Sequence, residues 1–424
     1  MEKGKVVLYG AGEYAATMCK RAKAEVAPRE VVAFVDGDCF KQGHTYLGLP
    51  VLSYADAIAK FGNVDFYVTA NERTAPEIIG FLLENGITPD RIVNYEPVEK
   101  RLGCPWVETY LGLQPEGGNI VMQCCARNEI NETLSRTPFM NNTPAFCSDI
   151  LNNFINLKYE IADNLKNGNI HEHCNKCNYI KETYYYKTRK IRQLALTETA
   201  ARACNFNCIY CSNKQFEPYE YNIFVDIYNA VVKIANCGLI DDSTFVVLSS
   251  NEFSISQDGN KLATLVSKYK SVLFTNASIW SEAAAVALEC GNSYLYVSVD
   301  AGTHETFKKV KGIDAFEKVC ENLKKYSARG TVVLKYIVCE GLNENESDLD
   351  GFFRLADDVA SRVVLSRDYY QKGSLSDGAL MQCTKFIKHF RDSGRMGSLI
   401  GFGARKDERA SLDRALSADV DKGL

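Results

Sequence analysis

The chain has 424 residues, 46% of them hydrophobic, and a formal charge of −4. That length predicts two to four domains with ample cores, and the charge gives no strong pull toward nucleic acid or an anionic membrane. No run of about 18 apolar residues predicts a membrane span. Sixteen cysteines with no export pattern point away from disulfides and toward metal or cluster binding in a cytoplasmic, oxygen-sensitive protein.

Residues 1–97 read as a half-Rossmann unit. Lys5-Val-Val-Leu-Tyr9 is a buried strand, Gly10-Ala-Gly12-Glu-Tyr-Ala15 is a glycine loop, and a helix is expected over 16–27. Glycines let the backbone approach a phosphate, and a helix N-terminus favours its charge. A second strand, Val31 to Val35, ends at Asp36, the place for a ribose-binding carboxylate. Val64 to Thr69 is a third strand, 78–85 a helix, and Arg91 to Asn94 closes the unit. It resembles the small nucleotide-binding domain of bacterial sugar-modifying enzymes such as the sugar acyltransferases. The resemblance implies a nucleotide or nucleotide-sugar at Gly10, Gly12 and Asp36. The competing reading is a vestigial unit kept for packing or oligomerisation.

Residues 98–189 hold a second group of cysteines. Cys104-Pro-Trp106 opens the segment, and Gln114-Pro-Glu-Gly-Gly118 reads as a hairpin turn. Then come Cys124-Cys125, Cys147 and the pair Cys174-Asn-Lys-Cys177. His171 and His173 flank the pair and are left out as ligands.

From 190 to 390 strands and helices alternate. Gln193–Thr197, Phe245–Ser249, Ser271–Thr275, Tyr294–Val299, Val332–Val338 and Arg362–Ser366 are six expected strands. Such alternation argues for a parallel sheet with helices outside. After the first strand stands Cys204-Asn-Phe-Asn-Cys208-Ile-Tyr210-Cys211. Three thiolates are soft ligands for iron, and three rather than four leave one iron of a cube open. A zinc site would usually be closed by four ligands. Cys237, Cys290, Cys320 and Cys339 are expected as buried thiols without a role, and Cys383 is ambiguous. Residues 391–424 read as a C-terminal tail.

The C-x3-C-x2-C spacing, with Tyr210 before its last cysteine, resembles the radical SAM superfamily. The resemblance implies an α/β fold, a partial (βα)6 barrel preceded here by the Rossmann-like domain and the cysteine-rich segment. It implies that Cys204, Cys208 and Cys211 hold a 4Fe-4S cluster whose open iron chelates S-adenosylmethionine. In that family the reduced cluster cleaves the sulfonium and releases a radical that removes hydrogen from substrate. Ser250-Asn251-Glu252 stands where the family has Gly-Gly-Glu, and Thr275-Asn276-Ala277 where it has Thr-Asn-Gly. Ser298-Val-Asp300 with Lys311-Gly312, and Gly341-Leu-Asn343, complete the strand-end pattern. The resemblance assigns Tyr210, Ser250, Asn251, Glu252, Asn276, Ser298, Asp300 and Asn343 to the cofactor site.

The order of features in 98–189 resembles a SPASM or twitch segment, although it precedes the barrel. Carried over, Cys104, Cys124, Cys174 and Cys177 would hold a second 4Fe-4S cluster. Cys125 or Cys147 remain alternatives for one of them, and the same four thiolates would suit zinc. The resemblance implies a small-molecule or peptide substrate and an electron donor such as flavodoxin or ferredoxin. A nucleotide-sugar or surface-glycan precursor is weakly favoured by the N-terminal unit, and a peptide by the SPASM-like cysteines. A non-catalytic iron-sulfur redox or nucleotide sensor is the third reading.

Overall fold

The computed structural model describes residues 4–38, 41–116, 119–123, 148–170, 174, 177, 179–196, 203–211, 223–249, 251–368, 371, 373–401 and 412. The calls on Gly117, Gly118, Cys124, Cys125, Cys147, His171, His173 and Ser250, and on the tail beyond 412, lie outside the described residues.

In the N-terminal unit β1 (Lys5–Tyr9) leads through α1 (Glu13–Val26) to β2 (Glu30–Val35). Then come β3 (Thr45–Tyr46), β4 (Leu49–Leu52), α2 (Tyr54–Phe61), β5 (Asp65–Val68) and α3 (Ala75–Glu84). The sheet order is β3-β4-β2-β1-β5, with every pair but β3–β4 parallel. Val6, Val7 and Leu8 are fully buried, as expected for a parallel strand covered on both faces. Beyond β5, the Asn94 side chain accepts from the Val68 amide and donates to its carbonyl, both at 2.9 Å, extending the sheet edge without a strand.

The middle segment contains β6 (Val98–Gly103), α4 (Pro105–Thr109), β7 (Tyr110–Glu116), β8 (Asn119–Gln123), α5 (Ser148–Lys166) and β9 (Lys181–Tyr186). The expected hairpin is β7–β8, closed by the pair Glu116–Asn119. The aromatic run Tyr184–Tyr186 lies in β9, paired antiparallel with β6.

The third region runs β10 (Gln193–Leu196), α6 (Ile223–Asn236), β11 (Phe245–Leu248), α7 (Gln257–Val266), β12 (Lys270–Thr275) and α8 (Glu282–Glu289). It continues with β13 (Ser293–Ser298), α9 (His304–Lys311), α10 (Phe316–Ser327), β14 (Val332–Val338), α11 (Glu346–Val359), β15 (Arg362–Arg367), α12 (Asp377–Asp392) and β16 (Met396–Gly401). The six expected strands stand in chain order and all pair parallel. The sheet also extends at both edges, to nine strands in the order β16-β15-β14-β13-β12-β11-β10-β7-β8. Thus β7, from the cysteine-rich segment, and β16, from the expected tail, belong to the barrel sheet.

One sheet face packs under helices in the largest core, which includes Leu194, Leu248, Leu273, Val297, Leu334 and Leu365. The other, concave face carries Val272, Tyr294, Tyr296, Val333 and Val364, with Phe274 and Val247 beside them. Side chains alternate along a strand, so Ser298 and Lys335 share this concave face.

The N-terminal unit abuts the N-terminal ends of these strands. Tyr14 of α1 packs edge-on against Phe245, the first residue of β11, at 5.4 Å between centroids. Arg192, just before β10, makes a two-pronged contact with Glu96 at 2.9 and 2.6 Å and lies over the Tyr186 ring. The unit therefore lies at the end of the barrel away from the three-cysteine loop.

Candidate active site

The three-cysteine loop follows the C-terminal end of β10, where functional residues of parallel barrels gather. Cys204, Cys208 and Cys211 are all free thiols of intermediate burial. The Cys204 sulfur accepts from the Phe206 amide at 3.4 Å and from Asn276 Nδ2 at 3.8 Å. Burial pushes the Cys204 thiol up to about 11, with Glu252 and Cys208 adding to the rise and the two donors opposing it. Burial also raises Cys208, against the nearby Lys311 ammonium.

Each of the next three strand ends reaches back to this loop through one side chain. After β11, Asn251 accepts the Ala203 amide at 2.9 Å, and the Glu252 amide donates to the Ala203 carbonyl at 2.8 Å. After β12, Asn276 contacts Cys204 and donates to Asn205 Oδ1 at 2.7 Å. After β13, Asp300 accepts from the Tyr210 hydroxyl. Asn251, Ala277 and Asp300 all lie in the left-handed region, with φ of 57°, 57° and 59°. Asn and Asp tolerate that region better than other residues with a Cβ. The first two are positions at or next to the glycines of the resembled pattern, so the chain turns as glycine would without carrying one.

Several expected cofactor-binding side chains are engaged within the protein. Glu252 is 1% exposed. It accepts from Ser254 Oγ at 2.7 Å, Thr275 Oγ1 at 2.8 Å and the Asn276 amide at 2.5 Å, joining the β11 and β12 ends. Burial raises its carboxyl pKa, against those hydrogen bonds. Asp300 pairs with the buried Lys311 ammonium and accepts the Ile337 amide at 2.7 Å. Asn343 donates to the Asp300 and Ile337 carbonyls and accepts the Cys339 amide, each at 2.8 Å. These three tie the ends of β11, β12, β13 and β14 to one another. Ser298 lies half-buried at the end of β13. Sequence reasoning placed Lys311 only in the strand-end pattern and missed its partnership with Tyr210, because spacing marks a strand end without saying which way a side chain turns.

The donor set fits a four-iron cluster. Three soft thiolates suit iron and leave one iron of a cube open, and the Cys204 sulfur already accepts from the Phe206 amide and from Asn276 Nδ2.

Cys104 and Cys174 pack in one small apolar cluster with Trp106 and Tyr179, and the Cys177 amide donates to the Cys174 carbonyl at 3.0 Å. Cys104 belongs to the core of that cluster and Cys174 packs at its edge. Cys339 and Cys383 are buried, but Cys237 and Cys290 are exposed. Each of that pair stands one residue past a helix end, where the apolar face no longer turns inward.

At the N-terminal glycine loop, Gly10 has φ +112°, and Gly12 caps α1. The Asp36 carboxylate accepts the Ala11 amide at 2.7 Å, the Asp38 amide at 2.9 Å and Lys41 Nζ at 3.1 Å. The Tyr46 hydroxyl donates to the Gly12 carbonyl at 2.9 Å. Asp36 therefore sits at the loop, holding one of the amides that a phosphate would use.

Residues 200–356 match the family described as Radical SAM superfamily. The chain carries a radical SAM domain. This domain covers the three-cysteine loop and the strand ends after β11 to β14. Among curated relatives, a probable GTP 3',8-cyclase of Saccharolobus islandicus (strain M.14.25) is 29% identical over 151 residues, 35% of this chain and 47% of the relative. The counterpart from Saccharolobus solfataricus is 28% identical over 150 residues, 35% and 47% of the two chains. The chain spans about half the length of these relatives. Among solved structures, Streptococcus suis SuiB bound to S-adenosylmethionine is similar at 11% identity, covering 67% of this chain and 68% of that one, with a TM-score of 0.39. No described helix is long and apolar enough to cross a membrane.

Proposed function

We propose that this radical SAM protein is an enzyme that reductively cleaves S-adenosylmethionine and abstracts hydrogen from a nucleotide-sugar or surface-glycan precursor. The observation that carries the chemistry is the tethering of one thiol-bearing loop to three successive strand ends, by Asn251, Asn276 and Asp300. Cys204, Cys208 and Cys211 would hold a 4Fe-4S cluster, which when bound and reduced would supply the electron for sulfonium cleavage. The chain supplies the rest. Asn276 and the Phe206 amide donate to the Cys204 sulfur, and the left-handed turns at Asn251 and Ala277 fix the backbone around the site. Phe274, Tyr296 and Val247 on the concave face form an apolar wall that excludes water from a reactive intermediate. A low-potential donor such as flavodoxin or ferredoxin would reduce the bound cluster in the cytoplasm.

The nucleotide side of the reading is supported by the parallel N-terminal sheet, whose glycine loop keeps Asp36 and Lys41 beside it. It is also supported by relatives whose name carries a guanine nucleotide. A peptide substrate is the second reading, favoured by the packing of Cys104 and Cys174 around Trp106, which supports an auxiliary cluster on Cys104, Cys124, Cys174 and Cys177.

Anaerobic reconstitution tests the chemistry. Two cubes predict about eight irons per chain, falling to about four in a Cys204/Cys208/Cys211 triple alanine variant. With dithionite, the wild type is expected to form 5'-deoxyadenosine from S-adenosylmethionine, faster with nucleotide-sugars than with peptides. A fully loaded protein that forms none is a sensor and overturns the proposal.

A further inference from the structure

Lys311 ends α9 with its side chain 2% exposed, beside an Asp300 side chain that is fully buried. Its ammonium donates to Asp300 and to the Tyr210 hydroxyl, and that hydroxyl donates to the same carboxylate oxygen. Asp300 is itself fixed by the Ile337 amide on its other oxygen. The backbone at the end of α9 holds the same loop. The Asn207 amide donates to the Lys311 carbonyl at 3.0 Å, and the Ile209 amide to the Val310 carbonyl at 2.9 Å. Gly312 follows at φ +70°, where a Cβ would lie 2.7 Å from the Asn207 carbonyl oxygen. The cysteine loop is therefore pressed directly on the helix end.

A buried ion pair is weak evidence for stability, because apolar residues of similar volume often serve as well. What this pair supplies is direction. A carboxylate and an ammonium converging on one phenol fix a ring whose backbone lies between Cys208 and Cys211. We propose that Lys311 is a positioning residue: with Asp300 it locks the Tyr210 ring and so sets where Cys208 and Cys211 present their sulfurs. The inference rests on the radical SAM reading above. It assigns Lys311 to the cysteine loop rather than to S-adenosylmethionine.

The test uses Tyr210→Phe, the double variant Asp300→Asn with Lys311→Met, and Lys311→Arg, each reconstituted anaerobically. The double variant removes both buried charges together, so its apo form is expected to melt near the wild type. Tyr210→Phe keeps the ion pair and loses the hydroxyl. Both are expected to load iron, to bind S-adenosylmethionine about tenfold more weakly, as loss of one charge-assisted hydrogen bond would give, and to show a changed electron paramagnetic resonance signal of the reduced cluster. Lys311→Arg, which keeps a cation in place, is expected to recover most of the affinity. If both variants load iron fully yet keep wild-type affinity and an unchanged signal, the network only supports the fold and the proposal is wrong. Should the double variant not fold, Tyr210→Phe decides alone. A wild type that loads no iron on these thiols overturns the radical SAM reading, and this inference with it.

Discussion

The amide nitrogen of Asn343 donates to the carbonyl of Asp300 at 2.8 Å, across 43 positions of sequence. The same fully buried side chain donates to the Ile337 carbonyl and accepts the Cys339 amide. It thus joins the ends of β13 and β14 beneath the residue that holds Tyr210. Asn343→Ala strands these backbone groups away from water. A stranded group costs about 1–3 kcal/mol, so a loss of about 2–4 kcal/mol is expected in urea unfolding of the apo protein. An unchanged midpoint would show that water replaces the amide.

How far such arrangements could be read in advance depends on their range. The barrel strands were legible because short apolar runs alternate with helical segments; β14 spans the predicted Val332–Val338, and the others differ by a residue or two. The pairing of β7 with β10 was not legible, since Tyr110 and Gln193 meet only in the fold and a parallel pair leaves no local turn signal. The thiol trio was legible from spacing alone. The partners of Glu252, Asp300 and Asn343 within the protein were not: a polar residue at a strand end reads the same whichever neighbouring strand it bonds.

Ala277 offers a test of the left-handed turn. It is fully buried with φ 57°, its amide donates to Thr275 Oγ1 at 3.0 Å, and its carbonyl accepts Asn322 Nδ2 at 2.9 Å. A Cβ in this region costs about 1–2 kcal/mol, whereas glycine adds unfolded-state entropy worth about 0.4–1 kcal/mol. Ala277→Gly is therefore expected to stabilise by about 0–1.6 kcal/mol. Ala277→Val, β-branched and without space, is expected to destabilise by about 2–4 kcal/mol. Equal melting temperatures for the two variants would mean that the turn relaxes.

At the start of α9, exposed His304 pairs with Asp314. The hydrogen bond to Asp314 raises the imidazole pKa, with Glu317 adding to it, while His304 and then Lys308 lower the Asp314 carboxyl. A raised histidine contributes below its unfolded value and loses that contribution as pH rises through the folded pKa. A lowered carboxyl contributes above its unfolded value and loses it as pH falls through the folded pKa. The pair thus acts in a mildly acidic window. Of the five imidazoles in the chain, that of His304 is expected to titrate high by nuclear magnetic resonance and to return toward the ordinary range in Asp314→Asn. No movement there would mean that the pair does not persist in solution.

Asn276 places a neutral donor on the cluster site. Its amide nitrogen lies 3.8 Å from the Cys204 sulfur and 2.7 Å from Asn205 Oδ1, while its oxygen accepts the Ser278 amide at 2.9 Å and hydroxyl at 2.7 Å. Those contacts hold the donor in one orientation. Hydrogen bonds to cluster sulfurs help to set the potential, and the sulfur gains electron density on reduction, so the donor favours the reduced state. One net hydrogen bond of about 1 kcal/mol corresponds to roughly 40 mV for a one-electron couple. Asn276→Ala is therefore expected to lower the midpoint by that order, and Asn276→Asp, which puts an anion beside the sulfur, to lower it further. Dithionite titration followed by electron paramagnetic resonance reads both shifts. Identical midpoints in all three proteins would mean that Asn276 serves the loop through Asn205 and Ser278, and leaves the sulfur untouched.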